Sequence, residues 1–202
     1  MADKSEKIRK YMKYALSAIG LIVLFGIGVV FVLATAKNVA TSNGSVGGGP
    51  PDISETNMVL ESAQFTDNGL IPKEYSCDGE NVSPPLTISG VPEKAISLAL
   101  LMQDPDAPGG TFTHWLVWNI PLKTTAFTRG SSPDGSVTGT NSFGKSAYGG
   151  PCPPNGEHRY IFTLYALDAS IDLPKTANVD AFNAAITPHE INKAVLTGRY
   201  SR

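Results

Sequence analysis

The sequence predicts a mainly β protein of the α+β class, with short helices confined to the C-terminal end and one transmembrane helix ahead of the folded part. Three observations carry this. Residues 95–102 form a short apolar run closed by Asp, Pro and Gly, the mark of a buried strand. Residues 158–168 alternate, with Tyr160, Phe162, Leu164 and Ala166 on one face. Helical composition with capping residues first appears after Asn178.

Residues 1–13 are basic, with Lys4, Lys7, Arg9, Lys10 and Lys13 against Asp3 and Glu6. Residues 14–36 carry no charge. As a helix at about 1.5 Å per residue they span about 34 Å, enough to cross a bilayer core of about 30 Å. The basic flank places the N-terminus in the cytoplasm and the rest of the chain outside. The rival reading is a cleaved signal peptide and a secreted protein. Ala34-Thr35-Ala36 resembles a cleavage site, but the apolar run exceeds the roughly 7–15 residues of a signal core. Residues 37–56 form a Gly/Ser/Pro linker with nothing to pack. Residues 57–202 are the folded domain.

Within that domain, residues 58–65 read as a first strand, and Asp67-Asn68-Gly69 as a turn. Residues 71–75 read as a short edge strand, where Pro72 is tolerated. Residues 77–86 are a polar loop, and residues 86–89 are extended. The run at 95–102 feeds a stiff bend, because Pro105 and Pro108 push the residues before them out of the helical region. Gly109-Gly110 turns the chain, and His114 opens a strand with Leu116, Trp118 and Ile120 on one face and Trp115, Val117 and Asn119 on the other. Residues 125–148 read as mostly irregular. Residues 179–186 are helical, with Asn178 as cap. Thr187-Pro188-His189-Glu190 matches a capping box with Pro at the first helical position, so a second helix is expected to about residue 196, stopped by Gly198.

The domain carries ten Lys/Arg against fourteen Asp/Glu, a net charge of −4. This mildly acidic balance argues against a nucleic-acid partner. The polar residues that gather at strand ends are Asp104, Asp106, His114, His158 and Tyr160. Two carboxylates and two imidazoles suit a divalent metal and a hydrolase, but their spacing matches no dedicated metal motif. An Asp in an Asp-Pro segment often makes a local turn bond to its own backbone, and of Asp104 and Asp106 the latter is the one assigned that structural role. His114 beside Trp115 is also readable as a satisfied core pair. Cys152 near His158 is a weak nucleophile candidate, poorly placed for a lowered pKa. Cys77 and Cys152 are the only cysteines, both in loops of a part expected outside the cytoplasm. A disulfide between them is favoured there, two free buried thiols being the alternative.

Asp104-Pro105-Asp106-Ala107-Pro108, His114 ten residues after the first Asp, Gly150-Pro151-Cys152-Pro153-Pro154 and His158-Arg159-Tyr160 follow in an order and spacing that resembles the phosphatidylethanolamine-binding protein family, in its prokaryotic, Raf kinase inhibitor-like branch. The resemblance runs from about residue 58 to 202. It implies packed antiparallel sheets with peripheral helices and a pocket for a small anion such as a phosphate or phospholipid headgroup. The implied ligand-binding set is Asp104, Pro105, Phe112, His114, Gly150, Pro154, His158 and Tyr160. Asp104 would orient and charge His114, backbone N–H groups between Gly149 and Gly156 would add donors, Tyr160 would donate its hydroxyl, and Pro153 and Pro154 would wall the pocket. Alternation sends Arg159 to the opposite face. The expected function is therefore a membrane-tethered, extracytoplasmic, non-enzymatic binding module without cofactor or metal. A second reading is inhibition of a serine protease through the loop at 128–145, and a third is the metal-dependent hydrolase.

Overall fold

The computed structural model describes residues 57–202. The expected transmembrane helix at 14–36 and the linker at 37–56 lie outside the described residues. Among the described residues no helix is long and apolar enough to cross a membrane.

In chain order the elements are β1 (Val59–Glu61), β2 (Gly69–Leu70), β3 (Leu86–Ser89), β4 (Ser97–Asp104), β5 (Phe112–Ile120), β6 (Ala126–Phe127), β7 (Val137–Thr138), β8 (Glu157–Leu167), α1 (Val179–Ile186) and β9 (Glu190–Ser201). The apolar run of β4 is explained by its place. It lies between β8 and β5 inside a six-stranded sheet of order β2-β9-β8-β4-β5-β7, covered on both faces. One face packs against a three-stranded sheet, β1-β3-β6, through Leu60, Ile88, Leu100, Trp115 and Phe162. The other face is closed by α1, with Phe182 and Ile186 against Leu101, Leu116 and Trp118. Each fully buried side chain of this kind contributes roughly 1.5–3 kcal/mol. Asn178 caps α1 as expected, its side chain accepting the Ala181 N–H at 3.1 Å. The sheets are antiparallel throughout except that β2 runs parallel to β9.

Three expected elements differ in the structure. Residues 71–75 are no strand: Lys73–Tyr75 is a 3-10 turn. Only Val59–Glu61 of the first expected strand pairs, because β3 offers it just three partners. The expected helix at 187–196 ends after one 3-10 turn, Thr187–His189, and the chain continues as β9. Ala194, Leu196 and Tyr200 alternate into the core, and β9 pairs with β8 from Glu190 to Ser201. That ladder outweighs the local capping signal. Gly198 is therefore no helix stop. A Cβ there would collide with Ile71 and press on Phe65, so it marks a close approach.

Two irregularities re-aim β5. Between its pairings to Leu98 and Leu100, β5 carries an extra residue, and Asn119 takes φ 54°. Ile120 is thereby turned to the core face of Trp115 and Val117, against the simple alternation. The second bulge lies where Met102 and Gln103 pair with Trp115 and Thr113, leaving His114 as the extra residue.

Candidate ligand-binding cleft

The bulge at His114 turns the imidazole to the face that carries Tyr160, whose ring it meets at 5.1 Å. Asp104 ends β4, Phe112 opens β5 opposite it, and His158 follows the turn at Gly156. Together with the bend at 107–111 they border an open cleft of about 430 Å³. Of the expected set, Asp104, Phe112, His114, Pro154 and His158 line it. Pro105, Gly150 and Tyr160 do not.

The pairing of acids and imidazoles differs from the expectation. Asp104 serves His158, not His114: its Oδ2 accepts the His158 Nδ1–H at 2.7 Å. Its Oδ1 accepts the Asp106 N–H at 2.8 Å, so the turn bond across Pro105 belongs to Asp104 rather than to Asp106. Both partners of the buried pair are nearly inaccessible. Asp106 instead accepts from Arg159 Nε at 2.9 Å and from its terminal nitrogen at 2.7 Å. The Arg159 guanidinium holds the Asp106 carboxyl down at about 2. As alternation requires, Arg159 stands apart from the cleft lining, exposed and paired.

His114 is fixed by Gly149. Its Nδ1–H donates to the Gly149 carbonyl at 2.7 Å, and its own carbonyl accepts the Gly149 N–H at 3.0 Å. Burial pushes its pKa below the usual imidazole value, so it stands neutral near pH 7. Both histidines thus commit Nδ1 to a fixed acceptor and leave Nε2 for the cleft. With the Gly149 N–H on His114 and the Gly150 N–H on Asn81 Oδ1 at 2.7 Å, these two glycines supply no free donors. Gly150 is there because a Cβ would collide with the Tyr75 carbonyl. Tyr160 is fully buried beneath His114, beside the Cys152 main chain, and burial pushes its phenol up. Its Oη has no partner in hydrogen-bond geometry among the described residues. Pro153 is buried outside the lining, and only Pro154 walls the cleft.

Cys77 and Cys152 are joined, with S–S 2.10 Å and Cα–Cα 5.4 Å. Cys152 lines the cleft, so the bridge anchors one wall. In the loop at 128–145, Arg129 is tied to Glu80 at 2.7 Å and to Glu74 at 3.8 Å. Among the described residues no group of three or more His, Cys, Asp or Glu is arranged to hold a metal ion. Sequence reasoning missed Phe143, which lines the cleft against Phe112 and His114 from a stretch read as irregular. An aromatic between Asn-Ser and Gly-Lys carries no periodic signal, and only the fold brings it to the site.

A family model described as phosphatidylethanolamine-binding protein matches residues 61–201. A protein of Methanothermobacter thermautotrophicus is 48% identical over 150 residues, covering 72% of this chain and 99% of the relative. A Mycobacterium tuberculosis protein, named as lipoprotein LppC, is 40% identical over 145 residues, covering 71% of this chain and 72% of the relative. A crystal structure of a phosphatidylethanolamine-binding protein homologue from Chlamydia trachomatis superposes with TM-score 0.70 at 37% identity, over 73% of this chain and 99% of the other.

Proposed function

The chain belongs to the phosphatidylethanolamine-binding protein family, and from that premise we propose that it is a non-enzymatic binding module whose cleft accepts a small phosphate-type anion, free or as a lipid headgroup. The observation that carries this reading is the pair of imidazoles, His114 and His158, each with Nδ1 committed and Nε2 left for one cleft. A protonated Nε2–H is a strong donor to an anion. Because His114 is neutral near pH 7, the anion binds together with a proton and affinity rises as pH falls. Asp104 holds the His158 Nδ1–H at 2.7 Å and so fixes the ring's orientation toward the cleft. Cys152, the thiol at the cleft wall, is tied to Cys77, which favours binding over covalent chemistry.

The module is held at the extracytoplasmic side of a membrane. Support comes from the uncharged stretch at 14–36 with its basic flank, from the disulfide, and from the lipoprotein name of the mycobacterial relative.

The test is calorimetric titration of phosphoethanolamine and of inorganic phosphate into wild type, His114→Ala and His158→Ala at two pH values. Each variant is expected to lose roughly ten- to a hundred-fold in affinity, the worth of a charge-assisted hydrogen bond. Unchanged affinity in both variants refutes the anion site.

A further inference from the structure

The rim of the cleft has a chemistry different from its floor. Among the described residues, Leu70, Ile96, Leu122, Phe143 and Val195 are the large apolar side chains left exposed, and of these Phe143 alone lines the cleft. The residue is 45% exposed, yet its loop is rigidly built. Asn141, buried at the loop's base, accepts the Phe143 N–H at 3.0 Å and the Lys145 N–H at 3.1 Å on Oδ1. Its Nδ2 donates to the carbonyls of His114 at 3.2 Å and Ala147 at 2.8 Å. One side chain thereby fixes the loop and ties it to the strand of His114. Phe143 itself packs T-shaped on Phe112 at 4.7 Å and on His114 at 5.6 Å. An open aromatic ring is held in place directly beside the anion-binding imidazole, with the ordering cost already met by the fold.

Two further apolar walls are prolines. Pro108 and Pro154 line the cleft, and no Lys or Arg does. A ligand with a second charged phosphate would find no cationic side chain along this rim, where Thr111 is the one hydroxyl side chain. We infer that the cleft takes an anion carried on a flat, apolar organic group, with Phe143 as the residue that selects for that group. This rests on the anion reading of the histidine floor and adds to it the part of the ligand that leaves the floor.

The experiment compares three monoesters by calorimetric titration into the full-length chain: methyl phosphate, phenyl phosphate and phosphoethanolamine. Covering about half of the open ring surface is expected to make phenyl phosphate roughly ten-fold tighter than methyl phosphate. In Phe143→Ser that ratio is expected to fall to about two-fold or less, and in Phe143→Leu, which keeps an apolar side chain, to stay above it. Equal affinities for methyl and phenyl phosphate in wild type overturn the inference whatever the variants do, and leave the anion site standing. Phosphoethanolamine binding tighter than phenyl phosphate also overturns it, because the rings would then be serving a cation. Absence of binding by all three esters refutes the anion site and the inference with it.

Discussion

Breaking the bridge between Cys77 and Cys152 separates what holds the domain together from what shapes the cleft. The perturbation is the double substitution Cys77→Ala with Cys152→Ala. The two residues are 75 apart in sequence, so the bridge closes a long loop of the unfolded chain. In the chain-entropy picture, closing such a loop contributes about 4.5 kcal/mol to the stability of the folded state. For a domain of this size that corresponds to a fall in Tm of roughly 10–15 °C. The cleft wall, however, has supports of its own. The Cys77 N–H donates to the Pro151 carbonyl at 3.0 Å, Gly150 is held by Asn81 at 2.7 Å, and Gly149 is doubly bonded to His114. Well below the new Tm the wall should therefore stay in place, and phosphoethanolamine affinity should change by less than about three-fold, under 1 kcal/mol. Calorimetric melts and titrations on the same preparations read both quantities. A Tm within about 3 °C of wild type would refute the loop-entropy account. A large loss of affinity with the fold intact would show that the backbone bonds do not hold the wall.

Further outcomes follow from single features. His114 has a pKa pushed down by burial, so below its unfolded value of about 6.5 the unfolded chain takes up a proton that the folded one does not. Its contribution is full above that pH and is lost as pH falls toward the folded pKa. Urea unfolding at pH 7.5 and 5.5 should show this loss in wild type, and less of it in His114→Gln; equal slopes would refute it. The stabilisation linked to Asp106 lies lower, lost between its unfolded value and about 2 as Arg159's partner is protonated. Gly198→Ala should cost about 1–3 kcal/mol by forcing Ile71 and Phe65 aside, and an unchanged Tm would show that β9 can shift there freely. For the tether, protease added to spheroplasts should release the domain and leave a small membrane fragment, whereas a soluble protein beginning near Lys37 would overturn the anchor at 14–36.

What the sequence determined by itself was whatever short-range pattern can encode. The apolar run at 95–102 specified a strand buried on both faces, and the alternation from His158 specified which side chains enter the core, because burial in a sheet repeats every two residues. The family resemblance carried by the order of the Asp-Pro, His, Gly-Pro-Cys-Pro-Pro and His-Arg-Tyr motifs assigned Asp104, His114 and His158 to one site, and all three line the cleft. Tertiary structure decided the rest. Residues 187–196 carry a sound helix start, yet after one 3-10 turn at Thr187–His189 the chain from Glu190 to Ser201 became a strand with eleven paired positions on β8, since a neighbouring ladder is worth more than a cap. Asp104 reached His158 instead of His114, and Gly149 took His114, because which acceptor meets which imidazole depends on bulge geometry and on a loop 35 residues away. Phe143 became part of the cleft only because Asn141 folds its loop back onto the strand of His114, a contact between residues 27 apart that no local period records.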